Sequence, residues 1–167
     1  MLMSFEETIA FTPVWLREVA EGTVPDAQVL AHLQEVFQSV EGVRGFFVVF
    51  LTEDLFGETY PEAILQAFTE NASQIAGILV KNLAMSTAMI VHHDRQGDGV
   101  QKAGSLKVQQ RSARLLQLLE GRGVPNFNQE RSALLMSLET GNGSYSAFLD
   151  RWGYDSEQRQ AIQAALT

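Results

Sequence analysis

The chain has 167 residues, 46% of them hydrophobic, with ten Phe and no Cys, so it can bury a core of its own but has no thiol for a disulfide, a thiolate metal site or a cysteine nucleophile. Its formal net charge of -8 is unevenly shared: residues 1–80 carry twelve acidic and two basic side chains, a net of -10, and residues 81–167 carry a net of +2. So acidic a first half argues against sequence-independent nucleic-acid binding, which needs a broad positive face, and the opening Met-Leu-Met-Ser-Phe-Glu-Glu has neither the basic region nor the apolar run of a signal peptide.

Ser4 with Glu7 makes a capping box for a first helix. Thr12-Pro13 either kinks that helix or restarts it, and Glu21-Gly22 ends it. Val29, Leu30, Leu33, Val36, Phe37 and Val40 form one stripe of a second helix, expected from about Val24 to a stop at Glu41-Gly42. The run Val43–Leu51 suits a buried strand or a helix. Val43, Phe46, Phe47, Phe50 and Leu51 keep helical spacing and no partner strand exists elsewhere, so a helix is expected. Gly57 to Pro61 reads as a turn, with Thr59 and Glu62 capping a short helix through about Phe68.

The 21 residues between Glu70 and His92 contain one charged side chain, Lys81. They read as one long helix, about 71–94, opened by Asn71 and too apolar all round to sit anywhere but among other helices. It is long enough to cross a bilayer, but seven of its 21 positions are Asn, Ser, Gln, Thr or Lys, which fit a protein interior better than lipid. A polar loop is expected from Gly97 to Gly104, then a helix capped by Ser105 through Glu120. Gly121 to Pro125 is a breaker. Three more helices are expected, at about Gln129–Glu139, Tyr145–Trp152 and Ser156–Leu166, the last with Asp155 and Gln158 as a capping box. The predicted fold is therefore all-α, a single domain over residues 1–167 in which about seven to eight helices surround the central one.

Among residues able to carry chemistry, His92-His93-Asp94 stands out. Adjacent helical residues diverge by about 100°, so these are not two ligands on one helical face. His93-Asp94 resembles the dipeptide of the HD-domain phosphohydrolases, all-helical enzymes that gather a His, a His-Asp pair and a later Asp around a metal. That resemblance implies His32, His93, Asp94 and Asp150 as ligands of a divalent metal. The residues after the pair, Arg95-Gln96, depart from that family's pattern. A helix C-terminus would equally favour His and Arg, beside the negative end of its dipole. Lys81 and Asn82 are buried polar candidates inside the central helix, where the lysine either reaches outward, pairs with a carboxylate or does chemistry at a lowered pKa. Lys107, Arg111 and Arg114 share a helical face and suit an anion or an acidic partner, or simply solvent. Tyr145, Phe148 and Trp152 form an aromatic stripe expected to pack in the core.

No GxGxxG, Walker loop, HExxH or GxSxG is present, which removes the commonest nucleotide, zinc-protease and hydrolase readings. The expected function is that of a cytoplasmic protein-interaction or scaffold module without catalytic activity. It would need no cofactor and no membrane, and would bind a protein partner, including a second copy as a homodimer. The alternatives are the metal-dependent phosphohydrolase and an anion- or nucleotide-binding regulatory domain. Ala76, Val80, Ala84 and Ala88 recur every four residues, a narrow stripe that lets a neighbouring helix come close. Ala84→Leu is therefore expected to overpack the interior and cost about 1–3 kcal/mol; an unchanged denaturation midpoint would put that stripe in solvent.

Overall fold

Two of the expected capping boxes form with both of their hydrogen bonds, and they start the first and last helices. The Ser4 hydroxyl accepts from the Glu7 N–H and the Glu7 carboxylate accepts from the Ser4 N–H. Asp155 and Gln158 exchange the equivalent pair. The structure, a computed structural model, describes residues 2–167. It is all-α, with nine helices and no strand among the described residues: α1 Phe5–Ala20, α2 Asp26–Val36, α3 Val40–Phe50, α4 Glu62–Glu70, α5 Ala72–Arg95, α6 Gly99–Glu120, α7 Pro125–Thr140, α8 Ser146–Trp152 and α9 Ser156–Leu166. The count is nine where seven to eight were expected; the run from Val43 is helical as its spacing predicts, and the left-handed Gly153 (φ 62°) separates α8 from α9 as expected.

Several boundaries differ from the sequence expectation for local reasons. The second helix stops at Val36, and Ser39 caps α3 by accepting from the Gly42 N–H at 3.0 Å. Gly42 is therefore inside α3, where its missing side chain matters: a Cβ there would lie 2.1 Å from the Val36 carbonyl oxygen. Pro61, not Thr59, occupies the capping position of α4. Asn71 ends α4, its side-chain amide donating to the Ala67 carbonyl, and α5 follows at once. Asp98 accepts from the Gln101 N–H and starts α6 at Gly99, so the expected loop and Ser105 cap are replaced by helix. Pro125 starts α7 as its first residue, a position that needs no N–H.

The helices form two compact units, Met1–Ile78 and Leu79–Thr167, with the boundary inside α5. In the first unit α1 packs on α3, and α2 packs on both α3 and α4. Its centre is aromatic. Phe37, Phe46, Phe47 and Phe68 are buried, with edge or tilted ring pairs at 5.3 Å (Phe37–Phe46), 5.3 Å (Phe46–Phe47) and 5.4 Å (Phe47–Phe68). Such pairs add about 0.5–1.5 kcal/mol each beyond the area they bury. α1 runs unbroken through Pro13, while the hydroxyls of Thr8 and Thr12 turn back to the carbonyls of Ser4 and Thr8.

In the second unit α7 packs on α6 and α9. Leu115, Leu116, Leu119, Phe127, Leu134, Leu149 and Ile162 are buried, as are Leu79, Val80, Leu83, Ala84 and Ala88 of α5. Arg131 of α7 ties three helices together: its Nε meets Glu120 of α6 at 2.6 Å and its Nη1 donates to the Leu166 carbonyl of α9 at 3.0 Å. Gln109 of α6 and Gln158 of α9 donate to Thr87 Oγ1 and the Ala88 carbonyl of α5. α5 is the one helix among the described residues long and apolar enough to cross a membrane, and half of its most apolar 18-residue stretch is buried inside the protein.

α1 and α3 approach each other closely at Gly45. A Cβ there would lie 2.9 Å from Thr8 Cβ and 3.0 Å from the Phe5 carbonyl oxygen. In an exposed helix interior Ala would be favoured over Gly by about 1 kcal/mol. Here Gly45→Ala must push α1 off α3, and it is expected to destabilise by about 1–3 kcal/mol. A raised midpoint in denaturant would show that the two helices can separate freely.

Candidate functional site

The residues singled out from the sequence disperse into separate roles. His93 stacks edge-on with His92 at 5.4 Å. Asp94 accepts from Lys102 Nζ at 2.6 Å, and Asp150 pairs with Arg159 at 3.3 Å. His32, on α2, lies between two aromatic rings, with centroids 4.9 Å from Phe11 and 4.4 Å from Trp15. Among the described residues no three His, Asp or Glu side chains come together as a metal site requires. His32, His93, Asp94 and Asp150 each have a partner within their own compact unit. Arg95, beside the pair, forks onto Asp155 (2.6 Å) and Glu157 (2.5 Å). The Arg95 hydrogen bonds pull the Asp155 carboxyl down to about 2. The cluster is exposed, so these ion pairs order the helix ends more than they stabilise them.

Lys81 and Asn82 are half-buried rather than buried. The Lys81 ammonium stands 5.5 Å from the Phe148 ring centroid and 6.0 Å from that of Tyr145, a cation–π arrangement instead of a carboxylate pair. Tyr145 is buried and donates to Glu130 at 2.5 Å. Burial, then that hydrogen bond, push its phenol well above the usual range. The expected core stripe loses Trp152, which is 53% exposed, and gains Tyr154, whose ring meets Phe148 at 6.2 Å. Lys107, Arg111 and Arg114 all lie on α6 and are each already engaged in interactions within the protein.

What the sequence reading passed over is the outer face of α1. Its inner face holds Thr8, Thr12, Trp15, Leu16 and Val19. At helical spacing, Glu7, Ala10, Phe11, Val14 and Glu18 therefore fall together on the other side, and all five are exposed. Leu2, Met3, Glu7, Ala10 and Phe11 line a shallow recess of about 590 Å³. Leu2 is 56% exposed, Phe11 46% and Val14 56%. The recess has a firm floor. The Ser39 hydroxyl donates to the Met3 carbonyl at 3.2 Å, which holds the segment before α1 against the start of α3. Glu7 is fixed by its capping bond to Ser4, and one side of Phe11 rests on His32. The result is a group of exposed apolar side chains rimmed by polar ones. The signal was present in the sequence as Phe11 and Val14 opposite a core face that carries threonines.

The fold is all-helical, and among the described residues its chemistry-bearing side chains are dispersed. The chain belongs to the family described as Uncharacterised conserved protein UCP020893, whose model matches residues 4–167. No curated protein and no solved structure matches it.

His32 couples this face to the stability of the fold. Desolvation lowers its pKa from the ordinary 6.5, opposed by the nearby Glu35 charge. The unfolded chain then takes up a proton at a higher pH than the folded one. Stability is full above pH 6.5 and is lost as pH falls below it, until the folded imidazole also titrates. Denaturation midpoints measured from pH 8 to 5 are expected to drop below 6.5, and His32→Gln is expected to flatten that part of the profile. An equal drop in the variant would assign it to other groups.

Proposed function

We propose that this chain is a helical protein-interaction module without catalytic activity, which binds its partner through the outer face of α1. The observation that carries the reading is the recess at Leu2, Met3, Glu7, Ala10 and Phe11, continued along the helix by Val14. Leu2, Phe11 and Val14 are each about half exposed, so covering them on binding would yield roughly half of the about 1.5–3 kcal/mol gained by fully burying such a side chain. Ser39 and the Glu7 cap hold the surface in place beforehand, so little ordering entropy opposes binding. The engagement of Asp94 by Lys102 and of Asp150 by Arg159 agrees with a binding role in place of metal-dependent hydrolysis.

The test is site-specific photocrosslinking in the native cells. Val14 replaced by p-benzoylphenylalanine is expected to form a defined protein adduct on irradiation, and that adduct is expected to vanish when Phe11→Asp is added. An adduct with twice the chain mass would identify a second copy as the partner. The same probe at the exposed Gln117 of α6 is the control. No protein adduct at Val14, or the same adduct from Gln117, would overturn the reading.

A further inference from the structure

We infer that the segment seated on α1 is a cationic amphipathic helix of a partner protein, an inference that rests on the interaction role proposed above. The charge around the recess is one-sided. Glu7 lines it, Glu6, Glu18 and Glu21 lie on or just beyond the same helix, and Asp26 and Glu35 lie on α2. Against them residues 1–80 offer two cations, and one of these, Arg44, is stacked over Phe5 at 5.6 Å. Arg17 is the other. The apolar stretch Ala10, Phe11, Val14 is bracketed on its own face by Glu7 and Glu18. These are eleven residues apart, roughly 16 Å or three helical turns. A partner helix that lays apolar residues at i, i+3/i+4 and i+7 over Phe11 and Val14 would bring Lys or Arg at its two ends onto these carboxylates.

A second copy is a poorer occupant. The same face turned on itself would set this excess of glutamates against its own image, with only Arg17 to offset it. A membrane surface rich in anionic lipid would be repelled for the same reason.

The probe is a synthetic 14-residue peptide with a leucine stripe and lysines elsewhere, compared with a peptide in which every lysine is glutamate. Trp15, which stacks on His32 beside Phe11, reports binding by fluorescence in a full-length chain carrying Trp152→Phe, and calorimetry checks the stoichiometry. The lysine peptide is expected to bind one to one and the glutamate peptide at least tenfold more weakly. Phe11→Asp and Glu18→Lys are each expected to reduce lysine-peptide binding at least tenfold. Raising salt from 0.1 to 1 M is expected to weaken it, since screening shortens from about 10 Å to about 3 Å. Circular dichroism of both variants confirms that they fold. Phe11 and Glu18 are both exposed, so loss of one variant still leaves the other as the test.

Equal binding of the two peptides would overturn the cationic partner while leaving the apolar interaction role intact. So would binding of neither, provided the Val14 crosslink forms. Lysine-peptide binding unaffected by Phe11→Asp or Glu18→Lys would place it elsewhere and overturn the inference. Self-association of the chain abolished by Phe11→Asp would put a second copy on this face, and binding to phosphatidylserine vesicles lost in the same variant would put a membrane there; either overturns it.

Discussion

The first unit depends on how closely α1 lies against α3. Gly45 removes a side chain where Thr8 and the Phe5 carbonyl press in, and Thr8 and Thr12 answer from α1 with small side chains whose hydroxyls are satisfied within their own helix. A larger residue on either side would hold the helices apart, and the phenylalanines of α3 would lose their depth against Phe37 and Phe68. The same contact sets the rotation of α1 about its axis. With Thr8, Trp15 and Leu16 turned inward, Glu7, Phe11 and Val14 have only the outer side left, so the exposed apolar face follows from the packing of the core. Ser39 extends that control to the chain before α1, since one hydroxyl both caps α3 and grips Met3.

The second unit solves a different problem, how to pack long helices that keep many polar residues. Ser86, Thr87 and Ser112 are buried. Ser86 and Thr87 bond back to carbonyls one turn earlier, and Thr87 also accepts from Gln109. Ser112 is fully buried and its Oγ has no hydrogen-bond partner. Arg131 spans α6, α7 and α9 with both of its contacts partly shielded from water, where truncating one partner leaves the others unsatisfied. His93-Asp94 falls outside this scheme, at an exposed helix end where Lys102 and Arg95 organise the charges.

Much of the fold was legible because it is local. Ser4 with Glu7 and Asp155 with Gln158 announce their helices through interactions within four residues, and the run between Glu70 and His92, with Lys81 its one charged side chain, announces α5. The errors fell on glycines read as stops. Gly42 looks like a stop, yet it is a helix interior whose bare Cα admits the Val36 carbonyl. Gly99 and Gly104 look like loop, yet Asp98 caps a helix that runs through both. The candidate chemistry was less legible, since a His-Asp dipeptide carries no information about whether His32 and Asp150 will join it. His32 went to tilted contacts with the rings of Phe11 and Trp15. The α1 face was readable in principle. Its trace is an inversion, with threonines on the side that packs and Phe11 and Val14 on the side that does not.

That inversion carries a cost that the surrounding charges offset. An exposed Phe beside an exposed Val and Leu invites nonspecific association. Glu7 and Glu18 stand at the ends of this stripe and Glu6 and Glu21 close to it, so two copies approaching by the same face meet like charges before their apolar groups touch. The repulsion acts across roughly a screening length, about 8 Å at physiological salt, whereas the apolar gain needs contact. If the proposed cationic helix is the partner, the surface would discriminate by charge first and by shape second, since such a helix would meet opposite charges where the chain's own acidic face would meet like ones. On this argument the glutamates and Phe11 form one device, in which the carboxylates are what allow an apolar anchor to stand in water on a chain of net charge -8.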